Sequence, residues 1–182
     1  RLDGTLEGAA KLSWADGSIQ WLEDCHGDAY SVFPAGKAVY IASHSHYCGN
    51  LPTGFPEGHP EYPFRAVAFS QATTGKLTSD YLGYTDFAGQ PAPSLLHWFP
   101  RLPIGTATGQ NQAAWSIAGN SDYVVVGGEF PSAGSLGNQW GLVRFARAGV
   151  ANNPNNTGAD VRSDLKLGSS KGLVATSPRR GE

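Results

Sequence analysis

The feature that most constrains the fold is an internal repeat. Residues 29–45 read AYSVFPAGKAVYIASHS and residues 114–130 read AWSIAGNSDYVVVGGEF. In each stretch a short apolar segment, a turn rich in Gly, Asn, Ser or Pro, and a second apolar segment follow one another, which predicts a β-hairpin. The aligned pairs are Tyr30 with Trp115, Ser31 with Ser116, Val32 with Ile117, Val39 with Val124 and Ile41 with Val126.

The repeat continues downstream of each hairpin. RAVAFS at 65–70 parallels GLVRFA at 141–146, so that Val67 matches Val143 and Phe69 matches Phe145. A turn-like segment at 14–19, WADGSI, is similar to ATTGKL at 72–77. The chain is therefore expected to begin at the end of one unit and to run through two more.

A repeated unit of three or four short strands, each with an apolar face that needs a neighbour, is typical of a β-propeller blade. We predict an all-β fold in which residues 1–148 form about two blades plus part of a third, within a larger or oligomeric propeller. A β-sandwich is the alternative. Because two blades leave open edges, self-association through those edges is expected. Residues 149–182 are polar and without aromatics, which predicts a linker or a C-terminal extension.

Composition and motifs exclude several classes of function. The net charge of −2 and a charged fraction of 15% give no electrostatic footprint for nucleic acid. No apolar run approaches the roughly 18 residues of a membrane span, and nucleotide-binding, nucleophile-elbow and zinc-protease motifs are missing from the sequence.

Asp24, Asp28 and Glu129 could supply a glycosidase-like carboxylate pair, although the ordinary role of Glu129 is to accept hydrogen bonds at a strand end.

The segments CHGDAYSV (25–32), AVYIASHSHYC (38–48) and DYVVVGGEFPSAGSLGNQWGLVRFA (122–146) carry a resemblance to a known group. Together they resemble the repeats of secreted actinobacterial β-propeller proteins, a domain-of-unknown-function group that pairs a vYvgGhF strand with a qGLaRf strand. The similarity spans roughly residues 9–147, and the first copy has ASHS where the pattern has Gly-Gly. The resemblance implies a propeller fold and a secreted, extracellular location, and it supplies neither an activity nor catalytic residues.

Cys25 and Cys48 flank the first predicted hairpin and are the only cysteines in the sequence. A hairpin brings its two outer ends together, and an even cysteine count in a chain that looks secreted favours pairing. We predict a Cys25–Cys48 disulfide. Closing a loop of about 24 residues in this way stabilises the fold by roughly 3–3.5 kcal/mol on chain-entropy grounds.

The histidines next to these cysteines suggest a metal site as an alternative. His44 and His46 are two apart on a predicted strand and so share one face, and the disulfide would bring His26 beside them. Three imidazoles with an open position would suit zinc, and calcium is a second candidate. Since the disulfide consumes both thiols and no fourth ligand is evident, we expect no cofactor, with histidines that are solvated or bonded to loop backbone.

An aromatic cluster is the candidate binding site. Trp98, His97 and Arg101 lie in a Pro-flanked stretch and, if exposed together with Tyr81 and Tyr84, could stack on a sugar ring. Buried, the same stretch is an outer strand, which is the commoner outcome for Trp98. The remaining tryptophans, Trp14, Trp21, Trp115 and Trp140, are expected to pack between blades.

These observations favour an extracellular, non-catalytic propeller module that binds a glycan or another surface polymer, or that scaffolds a larger secreted protein. The long inserts at 49–63 and 83–95 are candidate binding surfaces, because functional residues gather on loops held by rigid strands. The alternative is a secreted enzyme that cleaves polysaccharide or phosphoester with acidic and histidine residues near the propeller channel.

Overall fold

The computed structural model describes residues 5–58, 63–134, 137–146 and 150, and the backbone of 174–176. This part of the chain contains strands and no helix, so the predicted all-β class is confirmed. Its strands are β1 (Ala9–Leu12), β2 (Ile19–Glu23), β3 (Ala29–Ala35), β4 (Ala38–Ser45), β5 (Phe64–Ser70), β6 (Gly75–Lys76), β7 (Pro91–Ala92), β8 (Leu95–Leu96), β9 (Ala114–Gly119), β10 (Tyr123–Gly128), β11 (Leu142–Ala146) and β12 (Val174–Thr176).

Two four-stranded antiparallel sheets form the body of the protein. The first sheet has the order β3-β4-β5-β8 and the second has the order β12-β11-β10-β9. In both sheets the strands follow one another along the chain, apart from β6 and β7, which pair in a separate small sheet. A further two-stranded sheet consists of β1 and β2, and β2 lies next to β7.

The two sheets repeat the same hydrogen-bonding register, which bears out the predicted equivalence of the two hairpins. In the first sheet Val39 pairs with Pro34 on one side and Phe69 on the other. In the second sheet Val124, the aligned residue, pairs with Gly119 and Phe145. The turns differ: Gly36 adopts φ 58° between β3 and β4, whereas the Asn120 side chain accepts hydrogen bonds from the backbone N–H groups of residues 122 and 123.

Both faces of β4 and β5, the two central strands of the first sheet, are buried, and alternate residues of each strand point to opposite faces. The face toward the second sheet carries Ala38, Tyr40, Ala42, Ala66 and Ala68, and the opposite face carries Val39, Ile41, Val67 and Phe69. Burial on both sides explains why these strands are near-continuous apolar runs rather than alternating ones. The sheet is thus the middle layer between the second sheet and the β1–β2 and β6–β7 segments.

The two layers that contact the middle sheet use different side chains. Toward the second sheet the alanines of β4 and β5 leave room for Trp98, whose ring meets Tyr40 and Phe145 edge-on at centroid distances of 5.0 and 5.6 Å. On the opposite face Trp21 and Leu22 of β2 cover the apolar residues of the sheet. The core therefore joins both repeated units and the β1–β2 segment into one packed body.

The boundary predicted at residue 148 lies outside the described residues. Of the predicted extension 149–182, only residue 150 and the backbone of 174–176 lie among the described residues. The latter segment pairs antiparallel with β11 as strand β12. One piece of the extension is therefore part of the second sheet.

The expectation that the tryptophans pack between sheets is right for Trp21, which is buried, and wrong for two others. Trp14 is fully exposed and Trp140 is 69% exposed. Trp14 lies at the turn between β1 and β2, and Trp140 lies just before β11. At both positions no described strand packs over the indole ring. Trp115 is half-buried.

Truncating the middle layer should destabilise the whole fold. Ile41 is fully buried, and its β3 partner Val32 is 55% exposed. Ile41→Ala should lower the free energy of unfolding by about 2–5 kcal/mol, because it removes buried methyl groups and leaves a cavity. The matched control Val32→Ala should change it by less than about 0.5 kcal/mol. Urea unfolding followed by tryptophan fluorescence measures both; equal losses would contradict the burial of Ile41 within the middle layer.

Candidate functional site

A disulfide between Cys25 and Cys48 closes the open end of the first hairpin, as the sequence predicts. Both cysteines are buried. The chain then folds back over the bridge, since the N–H of Cys48 donates to the carbonyl of Phe55 at 2.9 Å. A Cβ on Gly54 would lie 1.6 Å from the Cys48 carbonyl oxygen, so this return path requires glycine.

Beside the disulfide, three side chains form a buried group that we name the Asp–His cluster: Asp24, His26 and Asp80. His26 Nε2 lies 2.8 Å from Asp80 Oδ2 and 3.8 Å from Asp24 Oδ2. One ligand-type atom from each residue lies within 4.8 Å of the other two. Among the described residues this is the one convergent set of three or more His, Cys, Asp or Glu side chains.

The cluster is closed off from solvent by its neighbours. The side chains of His26, Asp24 and Asp80 are 0%, 3% and 1% exposed. The rings of Tyr84 and Tyr47 pack against the His26 ring at centroid distances of 4.0 and 4.9 Å. The cluster is therefore an interior feature, covered by aromatic rings.

Hydrogen bonding within the cluster is incomplete. The Asn50 amide donates to Asp24 Oδ2 at 3.0 Å. Neither ring nitrogen of His26 has a hydrogen-bond partner, and Asp80 Oδ2 and Asn50 Oδ1 also lack one. His26 Nε2 and Asp80 Oδ2 lie at ion-pair distance, 2.8 Å, but the contact lacks hydrogen-bond geometry, so both buried atoms have unmet hydrogen-bonding capacity.

Opposing effects act on the pKa of His26. Burial favours the neutral imidazole, but the carboxylates of Asp24 and Asp80 favour the cation and prevail, so the pKa of His26 is raised. Nearby, burial raises the pKa of Glu23 to about 8, with a backbone hydrogen bond from Cys25 opposing the rise. The surroundings of the disulfide thus hold several acidic groups in a dry environment.

The cluster is assembled from segments far apart in the sequence. Asp24 and His26 lie between β2 and β3, on either side of Cys25. Asp80 lies in the 77–90 loop, which leaves β6 and returns to β7. Backbone bonds from Leu77 N–H to the Gln90 carbonyl and from Thr78 N–H to the Asn50 carbonyl, both 2.9 Å, fix the start of this loop.

The other two histidines predicted as metal ligands are engaged elsewhere. His44 Nδ1 lies 2.9 Å from Gln112 Nε2, and His46 Nδ1 lies 3.0 Å from a Glu57 carboxylate oxygen near the surface. The rings of His26 and His46 are 6.1 Å apart at their centroids, yet the nitrogens of the three histidines do not converge. Of the three histidines considered as metal ligands, only His26 belongs to the convergent group of the described residues.

His44 takes part in a separate polar network at the junction of the two repeated units. Gln112 donates to the Tyr30 hydroxyl at 2.7 Å, and its carbonyl oxygen accepts from Arg65 at 2.6 Å. Burial and then the positive charge of Arg65 lower the pKa of His44. This network joins β3, β4 and β5 to the segment before β9.

The predicted aromatic binding cluster is divided between two places. Trp98 is 3% exposed inside the core, so its ring cannot stack on a sugar, and the burial alternative is correct. His97 and Arg101 are exposed beside that core residue. Tyr81 and Tyr84 lie instead in the 77–90 loop and are 71% and 40% exposed.

The three carboxylates considered for glycosidase chemistry have different surroundings. Asp24 belongs to the Asp–His cluster, and Asp28 accepts a hydrogen bond from the Tyr30 hydroxyl at 3.3 Å. Glu129 accepts from the Thr108 N–H and hydroxyl and from Trp115 Nε1 at 2.9, 2.6 and 3.0 Å. Glu129 therefore ties the segment before β9 to the second sheet, the structural role expected for it.

No protein-family profile, curated protein or solved structure matches the chain. Among the described residues there is no helix long and apolar enough to cross a membrane. The site geometry is therefore the basis for assigning a function.

Removing the disulfide should weaken the fold without changing its architecture. Replacing both Cys25 and Cys48 by Ala should lower the free energy of unfolding by roughly 3 kcal/mol, since the unfolded chain regains the entropy of an open loop. Urea unfolding of the double variant, compared with the oxidised and reduced parent, provides the measurement. The reduced parent and the double variant should agree; an unchanged unfolding midpoint would contradict the prediction.

The hydroxyl of Thr108 should control the pKa of Glu129. The pKa of this carboxyl is lowered from 4.5 first by the Thr108 side-chain hydrogen bond and then by the Thr108 backbone. The stability it adds is present above pH 4.5 and is lost as the pH falls through the folded-state pKa. Thr108→Val should raise the Glu129 pKa toward 4.5 in a carboxyl-carbon NMR titration, whereas Thr106→Val should leave it unchanged. The same pKa in both variants would refute this role.

Proposed function

We propose that the chain is part of an extracellular, non-catalytic β-propeller module that binds a glycan or another surface polymer. Its binding surface is the tyrosine platform, which we define as Tyr81 and Tyr84. The observation that carries the proposal is the exposure of these two rings on the loop that also supplies the buried Asp80 side chain. A scaffolding role within a larger secreted protein is compatible with the same surface.

The propeller assignment is supported by how the repeated units meet. Each unit is an antiparallel sheet with the same register, and successive propeller blades pack face to face in this way. The first strands of the two units, β3 and β9, are neighbours. The aligned residues Tyr30 and Trp115 contact each other at a centroid distance of 4.8 Å, and Ser31 Oγ accepts from the Ile117 N–H at 3.1 Å. Contact between equivalent positions is expected for inner strands arranged around one axis.

The outer face of the second sheet supports the same assignment. In the first unit the aligned positions Tyr40 and Ala66 are covered by the second unit. In the second unit their counterparts Val125 and Leu142 are half-buried and 53% exposed. A further blade, from a longer chain or from another copy, would cover this face.

The tyrosine platform has the properties of a sugar-stacking surface. A tyrosine ring offers a flat apolar face and a polar hydroxyl while losing little rotamer entropy on binding. The Tyr81 ring contacts the buried Tyr47 ring edge-on at 5.7 Å, which limits its orientations. A ring held in place before the ligand arrives reduces the entropic cost of binding.

Burial of the Asp–His cluster favours binding over catalysis. General acid or base groups must reach the atoms on which they act, whereas the acidic and histidine side chains that converge here lie under Tyr47 and Tyr84. The extracellular location is supported by the Cys25–Cys48 disulfide, because such bonds persist in oxidising compartments.

Glycan-array screening followed by calorimetry tests the proposal. Tyr81→Ala should weaken binding of the selected glycan by about tenfold or more, the effect of losing one well-placed aromatic contact. Tyr81→Phe keeps the ring and should stay within about threefold of the parent. Trp14→Ala removes an exposed aromatic ring at another site and should have no effect. Glycan turnover, no glycan bound on the array, or equal affinities for Tyr81→Ala and the parent would overturn the proposal.

A further inference from the structure

We propose that Asp24, His26 and Asp80 bind one divalent transition-metal ion of the zinc class, which fastens the 77–90 loop to the open end of the first hairpin. This inference is independent of glycan binding. It rests on the spacing of the donor atoms, on their unmet hydrogen bonds and on their charges.

The donor atoms have the spacing that a small ion needs. Zinc binds imidazole nitrogen and carboxylate oxygen at about 2.0–2.2 Å, so tetrahedral neighbours lie about 3.3–3.6 Å apart. His26 Nε2 is 2.8 Å from Asp80 Oδ2 and 3.8 Å from Asp24 Oδ2, distances on either side of that value. Small carboxylate rotations would bring all three atoms to ligand distance of one point.

The unmet hydrogen bonds point to the same place. His26 is fully buried, and both of its ring nitrogens are without a hydrogen-bond partner. Asp80 Oδ2 is also unpartnered, whereas Asp80 Oδ1 accepts from the Leu82 N–H at 2.6 Å. One oxygen of Asp80 is thus held by its own loop while the other faces His26. A hydrogen-bonded outer oxygen of this kind orients the ligating group at metal sites.

The charge balance favours a cation. Two buried carboxylates face one imidazole, and burying a negative charge without compensation is expensive. A divalent ion would neutralise both carboxylates and would bind the neutral His26 Nε2 in place of its ion pair with Asp80. Asn50, which donates to Asp24 Oδ2, orients the second carboxylate.

The donor set selects the ion. Imidazole nitrogen favours zinc and its neighbours, whereas calcium requires six to eight oxygen ligands and magnesium retains most of its waters. The thiols of Cys25 and Cys48 are consumed by the disulfide. Asn50, whose Nδ2 donates to Asp24 and whose Oδ1 lacks a partner, is a candidate for a fourth position. Because aromatic rings cover the site, the ion would be structural.

The test uses the full chain with its disulfide intact, its purification tag removed, and any metal stripped by chelator and dialysis. Calorimetric titration with ZnCl₂ should show one site per chain, confirmed by elemental analysis after dialysis. CaCl₂ and MgCl₂ should give no comparable binding. Addition of zinc should raise the unfolding temperature, since an ion that binds only the folded state stabilises it.

Variants distinguish the proposed ligands from the other histidines. Asp80→Asn and Asp24→Asn keep the side-chain shape and should each weaken zinc binding by about 100-fold or more, at least the effect of altering an outer partner. His46→Ala is the matched control, and its zinc affinity should equal that of the parent. Thermal unfolding shows which variants are folded.

A readout on the parent protein does not depend on variant folding. Zinc should shift the side-chain ¹⁵N resonances of His26 and leave those of His44 and His97 in place. Failure of the parent to bind zinc, retention of full affinity in Asp80→Asn, or loss of affinity in His46→Ala would each overturn the proposal. The array experiment, run with no metal added, tests glycan binding by the tyrosine platform independently of the zinc proposal.

Discussion

The packing of the molecule is organised around β4 and β5, the central strands of the first sheet, which are buried on both faces. One face of β4 and β5 is covered by the second repeated unit and the other by Trp21 and its neighbours. A sheet with one solvated face would need alternating polar residues, whereas the VYIA and AVAF runs of β4 and β5 have none. The middle layer thus requires both neighbours, and its rigidity positions the loops at the hairpin's open end.

The two repeated units share a backbone arrangement but carry different side chains at the open end of their hairpins. His44 and Glu129 occupy aligned positions, and their N–H groups donate to the carbonyls of the aligned residues Asp28 and Ala113 at 2.9 and 2.8 Å. The His44 ring meets Gln112, whereas the Glu129 carboxylate holds Thr108. Among the described residues, the disulfide and the Asp–His cluster both lie at the end of the first unit. Equivalent ends of the two units therefore carry different side chains on the same backbone arrangement.

The sequence predicts those features that follow from local patterns. The hairpins, their shared register and the disulfide follow from apolar runs, turn residues and the positions of Cys25 and Cys48. The partnership of His26 with Asp80 could not be predicted, because Asp80 lies in an insert whose return path depends on tertiary contacts. Exposure of Trp14 was missed for a related reason: the sequence marks a turn there, but it does not tell which layer covers that turn.

Native-state hydrogen exchange of the amides in β4 and β5 shows directly whether these two strands form the innermost layer of the protein. If the middle sheet is buried on both faces, these amides should exchange only through global unfolding, with protection equal to the full free energy of unfolding. Amides of β1, in a two-stranded sheet, should exchange at lower free energy through local opening. Protection of the β4 amides no greater than that of the β1 amides would contradict burial of β4 on both faces, because a central strand cannot open before the β1–β2 segment that covers it.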